Sequence, residues 1–268
     1  MEDRKAFIVG ISGASSSGKT TLARLLRDVF PNTFVLHEDD FYKPETELPS
    51  KDGLLDWDCA EAIDIPDMKR ALEHIRADGT FPPFVDSKED QNSIGACPVP
   101  ESAIAAAKAK VASWTSPGQP GHSILISNPK LGSSPLRICV LDGFLLYSPE
   151  MELGGIPALL DTKMFLLVGR ERATQRRERR DGYVTLEGFW TDPPGYVDKI
   201  VWPNYVASHS ALFKDGNVEG ALDEEVLREK GILAQVGKGV DVDMTTTFEW
   251  AVETLMRELE KWAAGEGR

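Results

Sequence analysis

The chain has little cysteine, little histidine and no long apolar run, and each scarcity removes a class of protein. The three cysteines, Cys59, Cys97 and Cys139, show no paired spacing of the kind that builds a disulfide framework or a zinc ribbon. They read as reduced thiols, with Cys139 a core residue inside an apolar run. The four histidines, His37, His74, His122 and His209, form neither an HxH nor an HxxxH pair, so the commonest transition-metal signal is missing. A hard, oxygen-ligated metal is what remains open. No apolar stretch approaches the roughly 18 to 20 residues of a membrane span. Positive charge is also short: 30 Lys and Arg against 43 Asp and Glu give a net charge of −13, which leaves no broadly basic surface to hold a nucleic-acid backbone. The opening residues, MEDRKAFIVGISG, run directly into a strand-like segment without the zones of a secretory signal, and the expected location is cytoplasmic.

Residues 6 to 11, AFIVGI, are a short apolar run, followed by a Gly/Ser-rich stretch and then by Leu22, Leu25, Leu26 and Val29 at helical spacing. The order is strand, loop, helix. Three more apolar runs read as buried parallel strands: TFVLH at 33 to 37, RICVLD at 137 to 142 and KMFLLV at 163 to 168. The first ends in Glu38, Asp39 and Asp40, the second at Asp142, and the third leads into an arginine-rich segment. Between about 78 and 136 the texture changes, because eight of the seventeen prolines fall there. Residues 79–135 are therefore expected to be a surface insertion with one helix at 103 to 114, and removal of about 84 to 130 is expected to spare catalysis. Near the C-terminus, Phe248, Val252, Leu255, Leu259 and Trp262 recur at three- and four-residue intervals and predict an amphipathic helix.

The strongest chemical signal is GASSSGKT at 13 to 20, which satisfies GxxxxGK[ST] between a strand and a helix. Its glycines let successive backbone N–H groups and the helix N-terminus face phosphate oxygens. Lys19 is placed to reach the β- and γ-phosphates and the Thr20 hydroxyl to ligand Mg²⁺. A Ser/Gly-rich turn before an ordinary helix is the bland alternative. The predicted fold is α/β: a three-layer P-loop NTPase domain over residues 1–268, with a parallel central sheet, helices on both faces and a short arginine-rich lid at about 170–198.

Neither an NKxD guanine-reading motif nor an LSGGQ-type signature accompanies the loop. A small-molecule kinase needs a carboxylate near the metal and the attacking hydroxyl, and Asp39 or Asp40 can supply it at the end of the second strand. Neighbours in an extended segment point to opposite sides, so one of the two is expected in the site. Asp142 has the form of a Walker-B acid. Residues 170 to 180 carry six arginines and two glutamates, and on a helix Arg176 and Arg180 stack one turn apart with Arg177 beside them. Trp57, between Asp56 and Asp58, and Tyr183 offer flat faces beside carboxylates, an arrangement that suits a ring joined to a ribose. The structural alternatives are a helix cap for the acidic cluster, a solvated charged helix for the arginines and ordinary packing for the aromatics.

Six blocks, GISGASSSGKTTLA, HEDDFYKPE, DGLLDWD, LDGFLLY, RRERRDGY and DPPGYVDKIVWPNY, resemble in that order the nicotinamide riboside kinase family, and TLEGFWTDPPGY resembles its fungal-type members. The resemblance spans most of the chain outside 79–135 and parts of the last fifty residues. It implies ATP-dependent phosphorylation of the ribose 5′-hydroxyl of nicotinamide riboside, and of nicotinic acid riboside, in NAD salvage, with Mg²⁺ as cofactor. Asp39 is then the general base and, with Lys19, the catalytic pair. The ATP-binding set is Gly13, Ala14, Ser15, Ser16, Ser17, Gly18, Lys19, Thr20 and Thr21 with Arg176 and Arg180. The substrate is bordered by Asp39, Asp40, Phe41, Tyr42, Trp57, Asp58, Arg177 and Tyr183, and the metal by Thr20, Asp39 and Asp142. An adenine-contacting loop is expected near Gln235 to Gly239. Two other readings stay open: a uridine or cytidine kinase, which shares the P-loop, the Asp-Phe-Tyr segment and the arginine lid, and a nucleotide-binding regulator without turnover. The expected partners are a nucleoside and ATP, with neither nucleic acid nor membrane.

Overall fold

A computed structural model of the chain describes residues 4–87, 95–180, 182–185 and 188–266. Its central sheet is organised by the first strand, β1 (Ala6–Gly13), which is buried along its whole length. Alternate side chains leave a strand on opposite faces, and here Ala6 and Ile8 enter one core while Phe7, Val9 and Ile11 enter another. Both faces must therefore be covered by helices.

Along the chain follow α1 (Lys19–Val29), β2 (Thr33–His37), the short hairpin of β3 (Ser50–Lys51) and β4 (Leu54–Leu55), α2 (Ile65–Asp78) and α3 (Glu101–Trp114). Then come β5 (Arg137–Gly143), α4 (Pro149–Gly154), β6 (Thr162–Leu166), α5 (Arg170–Glu178) and a second hairpin of β7 (Tyr183–Val184) and β8 (Phe189–Trp190). The chain closes with α6 (Trp202–His209), α7 (Glu224–Lys230), β9 (Ile232–Ala234) and α8 (Met244–Ala264). Five strands form a parallel sheet in the order β2-β5-β1-β6-β9. Helices α2, α4, α6 and α7 contribute Leu72, Met151, Tyr205 and Leu227 to the core on one face, and α1, α3 and α8 contribute Leu22, Val111 and Leu255 to the core on the other. This is the three-layer α/β arrangement that the alternation of strands and helices predicts. No helix among the described residues is long and apolar enough to cross a membrane.

Local sequence explains the helix ends. Asp64 caps α2 by accepting from Asp67 N at 2.9 Å, with Pro66 in the first turn, and Asp243 caps α8 by accepting from Thr246 N at 2.9 Å. The C-terminal pattern is realised: Phe248, Val252, Leu255 and Leu259 are buried, and Trp262 meets Phe7 edge-on at 5.9 Å. Strand β9 was not among the expected strands, because Ile-Leu-Ala is too short to show a period.

The segment expected as a surface insertion contains core. In α3 the positions Ala107, Val111 and Trp114 form one buried stripe against α1 and α8, and Ile124 and Leu125 join the same cluster. Trp114 meets Phe30 edge-on at 6.4 Å and its Nε1 donates to Glu260 Oε1 at 2.7 Å. Asn32 Nδ2 donates to Leu125 O at 2.7 Å, fixing the turn after α1 to this segment. Part of the proline-rich stretch, 88–94, lies outside the described residues. The proline content that marks a loop-rich segment does not report on a helix embedded within it, and for that reason the deletion expected to spare catalysis removes core contacts.

Trp114→Ala is expected to lower the unfolding free energy by about 3 kcal/mol, as truncation of a buried indole does. Urea titration measures it, with turnover of the folded variant preserved. A loss below about 1 kcal/mol would return the segment to mere surface loop.

Candidate active site

Parallel strands end on one edge of the sheet, and the loops that follow β1, β2 and β5 gather there. Strand register sets Asp142 beside Ile11 on one side and His37 on the other. Thr20 Oγ1 donates to Asp142 Oδ2 at 2.5 Å, and His37 Nδ1 lies 2.5 Å from Asp142 Oδ1. Burial alone pushes the Asp142 carboxyl up, but His37, Thr20 and Lys19 together hold it below the usual carboxylate range.

The GASSSGKT loop turns into α1 at Gly18, whose left-handed φ of 100° is one a side chain resists; a β-carbon there would also strike Met244 Cε at 2.2 Å. Lys19 is buried, and its Nζ donates to Ala14 O at 3.0 Å. Burial lowers its pKa, opposed by Asp142, Asp39 and Glu38. The Ser16 and Ser17 hydroxyls are buried without a hydrogen-bond partner among the described residues. Ser15, Ser16, Gly18, Lys19, Thr20 and Thr21 line a cleft of about 930 Å³, part of it open to solvent. Gly13 and Ala14 lie beneath, Gly13 against Leu166 O.

The acidic cluster departs from the extended geometry expected of it. Glu38–Phe41 is a turn of 3-10 helix, so its side chains fan out instead of alternating. Asp39 lines the cleft. Asp40 Oδ1 accepts from Ser87 Oγ at 3.2 Å and Phe41 is buried in the core, so these two expected substrate neighbours face elsewhere, whereas Tyr42 lines the cleft. Glu38 turns inward, and its Oε2 accepts from Leu145 N at 3.1 Å while Oε1 has no partner among the described residues. The close approach requires Gly143, where a β-carbon would fall 1.8 Å from Glu38 Oε2. Burial is the main cause that raises the Glu38 pKa to about 8, opposed by the Leu145 N–H and aided by Asp39.

The arginines of α5 reach back to the phosphate loop. Arg176 Nη1 donates to Ser16 O at 3.1 Å, and Arg177 Nη1 donates to Ser15 Oγ at 2.9 Å. Arg177 is buried and engages both oxygens of Asp58, at 2.8 and 3.0 Å, and both of Asp192, at 2.6 and 3.2 Å. Burial alone would favour its neutral form; Asp58, Tyr183 and Asp192 outweigh this and hold its pKa well above the ordinary arginine value. Arg180 lies over the Tyr183 ring, 5.3 Å from its centroid, and lines the cleft.

Trp57 and Asp58 sit on a loop pinned from behind. Tyr196 Oη accepts from Trp57 N at 3.0 Å and donates to Leu55 O at 2.9 Å, and Asn204 Nδ2 donates to both oxygens of Asp56 at 2.8 and 2.9 Å. Trp57 meets Tyr42 edge-on at 5.1 Å and Trp190 at 5.7 Å. His37, Phe144, Thr185 and Trp190 also line the cleft; they fall within the blocks that carry the family resemblance but are not among the expected site residues. Register could have found His37, which ends the strand beside the one that ends in Asp142. A second hollow, bounded by Arg172, Arg176, Gln235, Gly239, Met244 and Thr247, lies behind the phosphate loop, in the region expected to contact adenine.

A phosphate loop with its lysine, a strand-end acid on the loop threonine, and helix-borne arginines over the same loop define a P-loop phosphotransferase. Sequence comparison names the family. The chain is 34% identical to the nicotinamide riboside kinase of Schizosaccharomyces pombe over 96% of its own length and 99% of the relative's. It is 29% identical to that of Saccharomyces cerevisiae, covering 96% and 98%, and 29% identical to nicotinamide riboside kinase 1 of Homo sapiens, covering 75% and 76%. The chain belongs to the nicotinamide riboside kinase family. No protein-family model matches it. A solved structure titled as that of a possible uridine kinase from Bacillus stearothermophilus covers 77% of this chain and 84% of its own, at 15% identity and a TM-score of 0.39, a likeness too slight to weigh.

Two outcomes follow from the buried charges. Because the folded Glu38 holds its proton up to about pH 8 and an unfolded one releases it near 4.5, the stability it contributes is full below 4.5 and is lost as pH rises toward 8. In nucleotide-free protein, Glu38→Gln is expected to flatten the fall of stability between pH 5 and 8 by up to about 1 kcal/mol per pH unit, read by denaturant titration at each pH. Arg177→Met leaves two carboxylates facing one another and is expected to destabilise by about 3 kcal/mol or more, with Asp58→Asn recovering part of the loss in the double variant.

Proposed function

We propose that this chain transfers the γ-phosphoryl group of ATP to the ribose 5′-hydroxyl of nicotinamide riboside, and of its nicotinic acid counterpart, making the mononucleotide for NAD salvage. The observation that carries this reading is a single cleft: Lys19 and Thr20 of the phosphate loop, the Asp39 carboxylate and the aromatic faces of Trp57 and Tyr183 line one space, in a chain of this family.

A neutral alcohol is a poor nucleophile until its proton has a destination. Asp39 takes that proton as the 5′-oxygen bonds the γ-phosphorus and the bond to the ADP oxygen breaks. Lys19 exchanges Ala14 O for phosphate oxygens, and Arg176 and Arg180 add positive charge where the transferred group carries its negative charge. Asp58, held at both oxygens by Arg177, keeps lone pairs for the ribose hydroxyls, since a carboxylate has about four acceptor sites. Arg177 on this reading positions Asp58 and Ser15 more than it touches the nucleoside. Trp57 and Tyr183 take the pyridine ring between them, and the hollow near Gln235 takes the adenine. The residues also fit Mg²⁺: the Thr20 hydroxyl and the ionised Asp142, already in contact at 2.5 Å, are hard oxygen donors, with Asp39 nearby as a further carboxylate. When bound, the ion neutralises charge on the phosphate oxygens.

The test is ATP consumption with Mg²⁺ over nicotinamide riboside, nicotinic acid riboside, uridine, cytidine and adenosine. The pyridine ribosides are expected to be preferred, and Asp39→Asn to lower kcat by about 10³-fold with the ATP dissociation constant nearly unchanged. Turnover of uridine or cytidine alone would overturn the substrate, and a wild-type chain that binds ATP but phosphorylates nothing would favour a regulator.

A further inference from the structure

We propose that Trp190, carried into the cleft by the β7–β8 hairpin, is a specificity-determining residue that acts with Trp57 to select a positively charged ring over a neutral one. The inference rests on the nicotinamide riboside reading and deepens it. Tyr183 and Trp190 are direct partners across the hairpin, so their side chains share a face, and both line the cleft, while the neighbouring Phe189 points to solvent. The Trp190 ring lies 5.7 Å from Trp57 at 51° and 5.8 Å from Tyr196 at 63°. Its orientation is fixed by Nε1, which donates to Asp192 Oδ1 at 2.9 Å.

The aromatic faces of the cleft are not equivalent. Tyr183 already carries two guanidinium groups, Arg177 at 5.2 Å and Arg180 at 5.3 Å, and Arg177 lies 5.6 Å over Tyr196. Among the described residues no arginine or lysine lies over Trp57 or Trp190. The two indoles, the side chains whose faces attract cations most strongly, therefore keep that capacity for a ligand. A pyridinium ring joined to ribose carries a formal positive charge; uracil and cytosine rings do not. Three polar atoms around the same space, Trp57 Nε1, Tyr183 Oη and Thr185 Oγ1, are buried without a partner among the described residues, and a ring bearing a polar substituent can satisfy them.

The experiment compares nicotinamide riboside with its 1,4-dihydro form, which keeps the ribose and carboxamide but has a neutral ring, in the wild type, Trp190→Phe and Trp190→Leu. Both variants lose the hydrogen bond to Asp192 and keep an apolar side chain, so the contrast between them isolates the aromatic face. The wild type is expected to favour the cation, and Trp190→Leu to lose about tenfold in kcat/KM for the cation, with less than about twofold change for the neutral form. Trp190→Phe is expected to retain most of the preference, with the KM for ATP and the melting temperature steady in both variants. A parallel fall for both ribosides, an unchanged preference in Trp190→Leu or no preference in the wild type would overturn the inference alone. A wild type that phosphorylates uridine and neither riboside would overturn the functional reading, and this inference with it.

Discussion

A guanidinium group removed from water is costly unless its charge and its planar array of donors are matched, and the matching of Arg177 constrains more of the cleft than any other contact. Its partners come from three separate places: Ser15 in the phosphate loop, Asp58 after the β3–β4 hairpin, and Asp192 after the β7–β8 hairpin. None of the three can shift without leaving a buried charge under-paired. Such a network is weak grounds for claiming net stability, since a well-packed apolar cluster can be as stable. Its consequence is geometric. The bidentate pairing with Asp58 allows one orientation of that carboxylate, and the same guanidinium reaches the phosphate loop, so the two halves of the cleft are held in register with each other.

The sheet supplies a second constraint at lower cost. Parallel register carries Asp142 to the end of β5 between β1 and β2, and the residues paired with it at that level are Ile11, two positions before the phosphate loop, and His37. A carboxylate placed there meets the Thr20 hydroxyl and Lys19 without any loop having to search for it. Glu38 shows the cost of the crowding. It is buried beside Asp39, its pKa is raised, and it is accommodated only because position 143 lacks a β-carbon. Carboxylates that close cannot all ionise freely, and Glu38, the one with the least solvent, keeps its proton.

Much of this was legible in the residues, and the parts that were not share a cause. Strand β1, the phosphate loop, α1, the strand ends at His37 and Asp142, and α8 depend on local apolar periodicity and on a motif with a fixed backbone geometry. Asp40 and Phe41 stand in the same motif as Asp39 and Tyr42, and a turn of 3-10 helix sends each side chain in its own direction. The core role of Trp114 was hidden by flanking prolines. Trp190 and Asp192 stand in the block TLEGFWTDPPGY, but their significance lies in contacts to Trp57 and Arg177, more than ten residues away in sequence, and no local pattern encodes a long-range pairing.

On the proposed reading, the same long-range pairing joins ring recognition to phosphoryl transfer. Trp190 is oriented by Asp192, Asp192 pairs with Arg177, and Arg177 binds both Asp58 and the phosphate loop. A ring seated against Trp190 thus bears on a residue whose partner grips the loop that holds Lys19. Binding energy gained at a distant, unreactive part of a substrate can be spent on alignment at the reacting centre, provided that a stiff connection exists between the two. Here that connection is three hydrogen-bonded side chains long. On the same reading, the hairpin that carries Trp190 follows directly on the arginine helix, so that a wall for the ring and a charge for the phosphoryl group arise from one continuous segment.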